Sequence, residues 1–343
     1  MPTNRAYRLR RRPSGDLTLG DLELVTEELP ELEDGQALVR NRLLSVDPTN
    51  RIWMSEVRGY MPPVPLDAVM RGLGIGEVVE SRRDDLPAGA LVSGFVGWQD
   101  YVVADDAQLD APLSVLPDPL PAPESTFLGV LGHTGITAYI GVDIAEVADG
   151  ETVVVSAACG AVGSVAGQLA KARGARVVGI AGGAAKCRHV VDDLGFDACV
   201  DHRAADWREQ LDIATPDGVD VDFENVGGEI MDHVLMRLNV GARIALCGMI
   251  SQYNAPDDAW LGQINIGQLI MQRATMRGFL VLDFVERFEE AIIHLAGMLA
   301  DGRLRHDETF VDGLEATPAA FGQLFSGENV GKIVVRLDGS TPV

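Results

Sequence analysis

The sequence predicts an α/β protein in two parts, a compact, mostly antiparallel β unit and a doubly wound parallel sheet. Three observations predict it. From about residue 5 to 125, short β-rich pieces alternate with Gly and Pro. From about residue 151 the rhythm changes to apolar strand then helix, repeated. The tail from 306 turns β-like again, as if returning to the first unit. At 343 residues the chain exceeds one ordinary compact domain.

In the first part, ALVRNRLLSVDP (37–48), GIGEVVESRR (74–83) and GALVSGFVGWQDYVVA (89–104) read as strands bounded by breakers. The proline-rich LPDPLPAPESTF, residues 116–127, marks a boundary. After it, ETVVVSAA (151–158) has the nearly continuous apolar run of a strand covered on both faces. AVGSVAGQLAKARG is helix-compatible, ARVVGIAGG is the next strand, AKCRHVVDDLG the next helix and DACVDHR a third strand end. VDVDFENVGG, ARIALCGMIS and TMRGFLV read as further strands, with GEIMDHVLMRLNVG as a helix between the first two. FVERFEEAIIHLAGMLA (284–300) carries helical spacing and stops at DGRL. The expected units are therefore residues 1–125, 126–300 inserted into them, and 301–343 returning to the first.

The stretch VSAACGAVGSVAGQLAKARG nearly spells a dinucleotide-binding turn, with Ala158, Gly160 and Gly163 at the three positions of G-x-G-x-x-G. The first position tolerates a small residue if its φ is negative; the second lets backbone approach a pyrophosphate; the third lets helix pack on strand. A tight strand-to-helix turn in any α/β protein has the same look. In the functional reading, the N–H groups of Gly160 to Gly163 and the helix dipole face phosphates.

NAD enzymes end the second strand in Asp or Glu to hold the ribose. Here it ends Ile180, Ala181, Gly182, Gly183, and Lys186, Arg188 and, after the third strand, Arg203 follow. Such cations suit a 2′-phosphate and favour NADP(H); they also suit a solvated helix start. Cys159, with no neighbouring His to activate it, reads as a packed small hydrophobe.

Zinc is not expected, since residues 1–125 contain neither Cys nor His and the four cysteines, Cys159, Cys187, Cys199 and Cys247, form no CxxC pair. Acidic residues outnumber basic ones 51 to 28, and the resulting charge of −23 disfavours nucleic acid and anionic membranes as partners. The basic start MPTNRAYRLRRRPSG has no apolar stretch behind it, so neither a signal peptide nor a membrane anchor is expected, and a reducing cytoplasm is the expected location.

Taken together these residues resemble the zinc-free branch of the medium-chain dehydrogenase/reductase superfamily, and within it the leukotriene hydroxydehydrogenase, prostaglandin reductase and curcumin reductase group. LLSVDPTNRIWM, GIGEVVES, GWQDYVV, GHTGITAY, AACGAVGSVAGQLAK, FENVGG, ALCGMISQYN and GENVGKIVV occur in that family's order over nearly the whole chain. The resemblance implies a GroES-like catalytic domain and a Rossmann nucleotide-binding domain. It implies that Gly160, Ala161, Val162 and Gly163 line the pyrophosphate and that Lys186 meets the 2′-phosphate, with His202 a further cofactor-binding residue. Asn225, the run Cys247, Gly248, Met249, Ile250, Ser251, then Tyr253, the backbone of Phe279, Leu280 and Val281, and Asn329 complete the implied NADP site. Gly183 stands where the family often has Ser, His202 where it has Tyr, and His133 where it has Met. VDPTNR replaces the commoner VDPYMR, which brings Thr49 and Asn50 to the expected pocket mouth.

The implied activity is reduction of the C=C bond of α,β-unsaturated aldehydes or ketones, with hydride from NADPH to the β-carbon and protonation of the resulting enolate. Tyr253, a neutral phenol at pH 7, is the expected donor to the enolate; Asn50, Tyr60 and His133 are expected pocket residues. The resemblance also implies a homodimer. A quinone reductase of the same superfamily and a non-catalytic NADP-binding regulatory protein remain as alternatives.

Overall fold

The computed structural model describes residues 3–18, 20–56, 59–255, 262 and 264–337. The chain forms two compact units, Met1–Leu128 with Glu308–Val343, and Gly129–Asp307.

In the first unit, Thr3–Leu9 and Leu22–Glu28 pair antiparallel as a ribbon. A second sheet runs in the order Glu308–Asp312, Lys332–Arg336, Ala37–Val46, Leu73–Ser81, Leu91–Phe95, Ser114–Val115, with Tyr101–Ala104 also pairing on Ala37–Val46. The returning tail thus supplies two strands, parallel to each other and joined through the helix Thr317–Ser326. Its apolar residues are drawn into the same core: Phe321 meets Trp98 edge to face at 5.9 Å, among Leu44, Met54, Met70 and Ile333.

The second unit holds six parallel strands in the order Ala198–Asp201, Arg176–Ala181, Thr152–Ser156, Val219–Glu224, Leu238–Leu246, Thr275–Gly278. Numbered along the chain this is 3-2-1-4-5-6, so the order reverses between Thr152–Ser156 and Val219–Glu224, where crossovers part to opposite faces and leave a crevice at the carboxyl ends. Every residue of Thr152–Ser156 is buried, as a strand covered on both faces requires. The helix Gly163–Ala172 lies close because Gly167 has no side chain: a Cβ there would stand 1.8 Å from the Phe196 ring.

Three local readings change in the structure. The helix expected over 228–241 is a helix only at Gly228–Leu235; Leu238 already pairs with Val219, so the strand Leu238–Leu246 begins inside that window. Periodicity alone does not see that ladder. The helices His133–Ile144 and Trp207–Ala214 are additional elements, the former buried on several sides and so lacking one apolar stripe. Residues 301–307 stay with the second unit: Gln168 Nε2 donates to the Arg305 carbonyl at 2.9 Å, Arg305 N–H donates back to Gln168 Oε1 at 2.8 Å, and His189 Nε2 lies 2.8 Å from Asp307.

Within the first unit, Lys332 is 3% exposed and its Nζ donates to Asp47 Oδ1 at 2.7 Å and to the Val46 carbonyl at 2.8 Å. Lys332→Met leaves the Asp47 carboxylate enclosed without its counter-charge, so a stability loss of about 3–5 kcal/mol is expected in urea unfolding followed by tryptophan fluorescence. A loss no larger than that of an exposed pair, up to about 1 kcal/mol, would contradict this account.

Candidate functional site

The crevice at the switch point is built on the turn after Thr152–Ser156. Ala157 takes the left-handed conformation, with φ 51, and Ala158 N–H donates to the Ile180 carbonyl of the next strand at 3.0 Å. Ala158 is absent from the positive-φ positions, so the alanine fits where a glycine is customary. Gly163 is held against the turn: a Cβ would stand 2.4 Å from the Ala157 carbonyl oxygen. The helix Gly163–Ala172 starts here with no side-chain cap on Val162, and Gly160, Ala161 and Val162 are partly exposed. An uncapped amino end at the carboxyl edge of a parallel sheet presents N–H groups and the positive end of the dipole to an anion. Cys159 is buried, in keeping with packing.

At the end of the second strand, Gly182 and Gly183 carry the chain into the helix Ala184–Asp192, which bears Lys186 and Arg188. Asp201 Oδ1 accepts the N–H groups of Gly183 at 2.7 Å and Arg203 at 3.0 Å, which ties the third strand's end to this turn. A Cβ at Gly182 would lie 3.0 Å from both His202 Nε2 and Arg203 Nε. Desolvation, then the Arg203 charge, hold the His202 imidazole below its ordinary value; desolvation likewise lowers Lys186, against the field of Cys159 and with that of Arg203.

The fourth and fifth strands close the crevice from the other side. Glu224 is fully buried at the end of its strand, and its Oε1 accepts the Ser156 hydroxyl at 2.7 Å, Gly227 N–H at 2.8 Å and Val226 N–H. Ser156 Oγ accepts Asn225 N–H at 2.7 Å, and Asn225 Nδ2 donates to the Ser156 carbonyl at 2.8 Å. Gly227 has φ 72 and Gly228 φ 60, values that keep this turn tight. The partner loop is Cys247–Ser251: Ile250 N–H donates to the Asn225 carbonyl at 3.1 Å and Ser251 Oγ to the Val226 carbonyl at 2.6 Å. Tyr253 folds back under it, its phenol oxygen accepting Met249 N–H at 3.1 Å. Burial, with Glu224 nearby, pushes the Cys247 thiol up to about 12.

Other expected residues have different surroundings. The Phe279 ring meets Phe223 edge to face at 6.5 Å, with Leu280 and Val281 directly after it. His133 begins the helix His133–Ile144 and its ring meets Phe288 at 5.8 Å. In the first unit, Asn50 is 1% exposed with both ends engaged: Oδ1 accepts Asp47 N–H at 2.8 Å and Nδ2 donates to the Arg71 carbonyl at 3.0 Å. This side chain shapes its turn, whereas neighbouring Thr49 touches the hydroxyl of exposed Tyr60. Asn329 is buried and Nδ2 donates to the Gly331 carbonyl at 3.0 Å. Sequence reading missed Ser156, Asp201, Asp222 and Glu224; the available signal was three carboxylates alternating with apolar residues in VDVDFE.

Asp222 shares the face of Glu224, is fully buried, and neither of its oxygens has a hydrogen-bond partner. Burial and then the field of Glu224 raise its carboxyl well above 3.8. The folded protein thus holds a proton that the unfolded chain releases, and stability contributed below the ordinary aspartate range is lost as pH rises through the raised folded value. The urea midpoint is expected to fall with rising pH over that window, and Asp222→Asn to flatten the fall; an unchanged slope would mean that another group titrates. Gly163→Ala sets a methyl against backbone that cannot yield, so a loss of about 1–3 kcal/mol is expected in thermal melts.

Comparison with known proteins agrees with this architecture. A family model described as the N-terminal domain of oxidoreductase matches residues 5–111, and one described as zinc-binding dehydrogenase matches 161–297. Catalytic zinc needs three ligands from Cys, His and acidic groups, and among the described residues no three such side chains converge. The chain is 40% identical over 341 residues to an NADPH-dependent curcumin reductase of Escherichia coli, covering 98% of this chain and 97% of that one. It is 38% identical over 335 residues to prostaglandin reductase 1 of Mus musculus, covering 97% and 98%. The crystal structure of CurA in complex with NADPH from Vibrio vulnificus superposes with a TM-score of 0.92 at 41% identity, over 98% of this chain and 100% of the other. With its doubly wound sheet, its glycine turn and these relatives along almost its full length, the chain belongs to the zinc-independent medium-chain dehydrogenase/reductases, in the group of the curcumin and prostaglandin reductases.

Proposed function

We propose that the protein is an NADPH-dependent reductase of the C=C bond of α,β-unsaturated ketones and aldehydes. The observation that carries the reading is the seat of Tyr253. Its phenol oxygen accepts Met249 N–H, and the loop that seats it is bonded to the Asn225 turn and through Ser156 to the first strand. A phenol is thus fixed at the same carboxyl edge of the sheet as the uncapped helix.

The residues present fit a phosphorylated dinucleotide. The helix Gly163–Ala172 offers N–H groups at the switch point, and Lys186, His202 and Arg203 act together at the second strand's end, where the adjacent carboxylate, Asp201, is bonded to the N–H groups of Gly183 and Arg203. Gly160 to Gly163 are assigned to the pyrophosphate and the cationic group to the 2′-phosphate. Asn225, Cys247–Ser251, Phe279, Leu280, Val281 and Asn329 are assigned to the rest of the cofactor. NADPH, when bound, supplies the hydride that goes to the β-carbon of the enone.

Tyr253 is assigned to stabilise the oxygen on which negative charge develops and to pass a proton toward the enolate. Thr49 and Tyr60 are assigned to substrate with His133, and Asn50 holds the turn that carries Thr49. Desolvation, first among the causes, raises the Tyr60 phenol, which keeps it a neutral donor. A homodimer through the edge strand Thr275–Gly278 belongs to the same reading, supported by exposed Ile266, Ile270 and Met271 just before it.

Purified protein given NADPH or NADH with a panel of enones and quinones is expected to consume NADPH faster on enones, read at 340 nm. Tight NADPH binding without turnover of any enone would sink the reading. Tyr253→Phe is expected to lower kcat about 10²-fold with little change in NADPH affinity; unchanged turnover would remove this residue from the chemistry.

A further inference from the structure

The cationic end of the second strand contains one group whose charge can change near neutral pH. His202 and Arg203 follow the strand Ala198–Asp201 and turn over the end of its neighbour, so that Nε2 of one and Nε of the other are each 3.0 Å from the site of a Cβ on Gly182. Both side chains therefore converge closely over Gly182, where even a methyl group would crowd them. Lys186 acts on His202 from the helix Ala184–Asp192. The charged groups bearing on the imidazole are Arg203 and Asp201 from its own strand end and Lys186 from the helix; Gly182 and Gly183 bring none, and Cys159 bears on Lys186. Asp201 is engaged with the backbone N–H groups of Gly183 and Arg203.

An imidazole that feels both a guanidinium and an ammonium has an electrostatic reason to stay neutral, and here its ordinary value of 6.5 is lowered by desolvation and then by Arg203. A 2′-phosphate is close to a dianion above pH 7. Set among these three side chains it reverses the local field, and the imidazolium becomes the favoured form. NADH has hydroxyl there and reverses nothing.

On the cofactor assignment made above, we propose that His202 distinguishes NADPH from NADH as an imidazolium, taking one proton from solvent when the 2′-phosphate arrives and none when NADH binds. Arg203 and Lys186 provide fixed charge; His202 makes that part of the affinity depend on pH. Between the free and bound values of the imidazole, the Kd for NADPH rises with pH, by up to about tenfold per unit, while the Kd for NADH stays level.

Isothermal titration of the full-length protein at pH 7.5, in PIPES and in Tris at equal ionic strength, tests this, because the two buffers give up a proton with different heats. The expected result is a buffer-dependent heat equivalent to net proton uptake with NADPH, no such dependence with NADH, and its loss in His202→Gln. His202→Lys is expected to bind NADPH with little dependence on either buffer or pH. NADPH binding with equal heats in both buffers would overturn the proton-linked role and leave the cofactor assignment standing. Equal proton uptake with NADH, or uptake undiminished in His202→Gln, would overturn it by placing the proton elsewhere. Absence of any binding heat with NADPH would overturn the cofactor assignment as well.

Discussion

The second unit depends on one carboxylate sealed from water. Glu224 ends the fourth strand, and its Oε1 gathers the hydroxyl of Ser156 from the first strand together with the amide groups of Val226 and Gly227. Those two strands flank the point where the sheet's order reverses, and their separation sets the width of the crevice. A charged acceptor bonded to several donors is far stiffer than an apolar contact of the same size. It is also costly to bury, and desolvation raises the Glu224 carboxyl even though its donors pull the other way. Such a group persists in a core when what it orients cannot be oriented by packing alone, here a turn of backbone amides at the mouth of a site.

The glycine turn shows how shape, more than residue identity, is what the fold requires. The left-handed backbone conformation falls on Ala157, one residue before the position where glycine is customary. Ala158 can then have a methyl group, and the room for it comes from the neighbouring strand: a Cβ on Gly179 would be 2.8 Å from it. The close approach of helix to sheet is carried one turn further along, at Gly167 beneath Phe196. Gly163 has a different duty, against the carbonyl of Ala157. The familiar spacing is thus kept while the steric demands behind it are redistributed.

Charge is distributed with similar locality. The chain is strongly acidic, yet His202, Arg203 and Lys186 act on one another at the end of the second strand, where the one adjacent carboxylate, Asp201, is bonded to backbone. The acidic surplus keeps polyanions away at long range, while at this strand end the short-range field is of the opposite sign. In the first unit the buried pair Lys332 and Asp47 plays a structural part, joining a strand from the tail to the turn that carries Thr49 and Asn50.

By itself the sequence determined the two-part architecture and the position of the glycine turn, because periodicity and glycine spacing are local properties of a chain. The family's ordered segments added Asn225, Cys247–Ser251 and Tyr253, and the structure brings these together at one loop pair. Tertiary structure alone decided what each polar side chain faces. Asn50 reads as a pocket residue in VDPTNR, and in the structure its amide is bonded at both ends, to Asp47 N–H and to the distant Arg71 carbonyl. Asp222 and Glu224 look like surface alternation in VDVDFE, yet that strand lies in the middle of a parallel sheet and both side chains are fully buried. The helix begun at Gly228 gives way to a strand because Leu238 finds Val219 across the sheet. In each case the deciding partner is distant in sequence, and a hydrogen bond or ladder pairing between distant residues leaves no trace in local spacing.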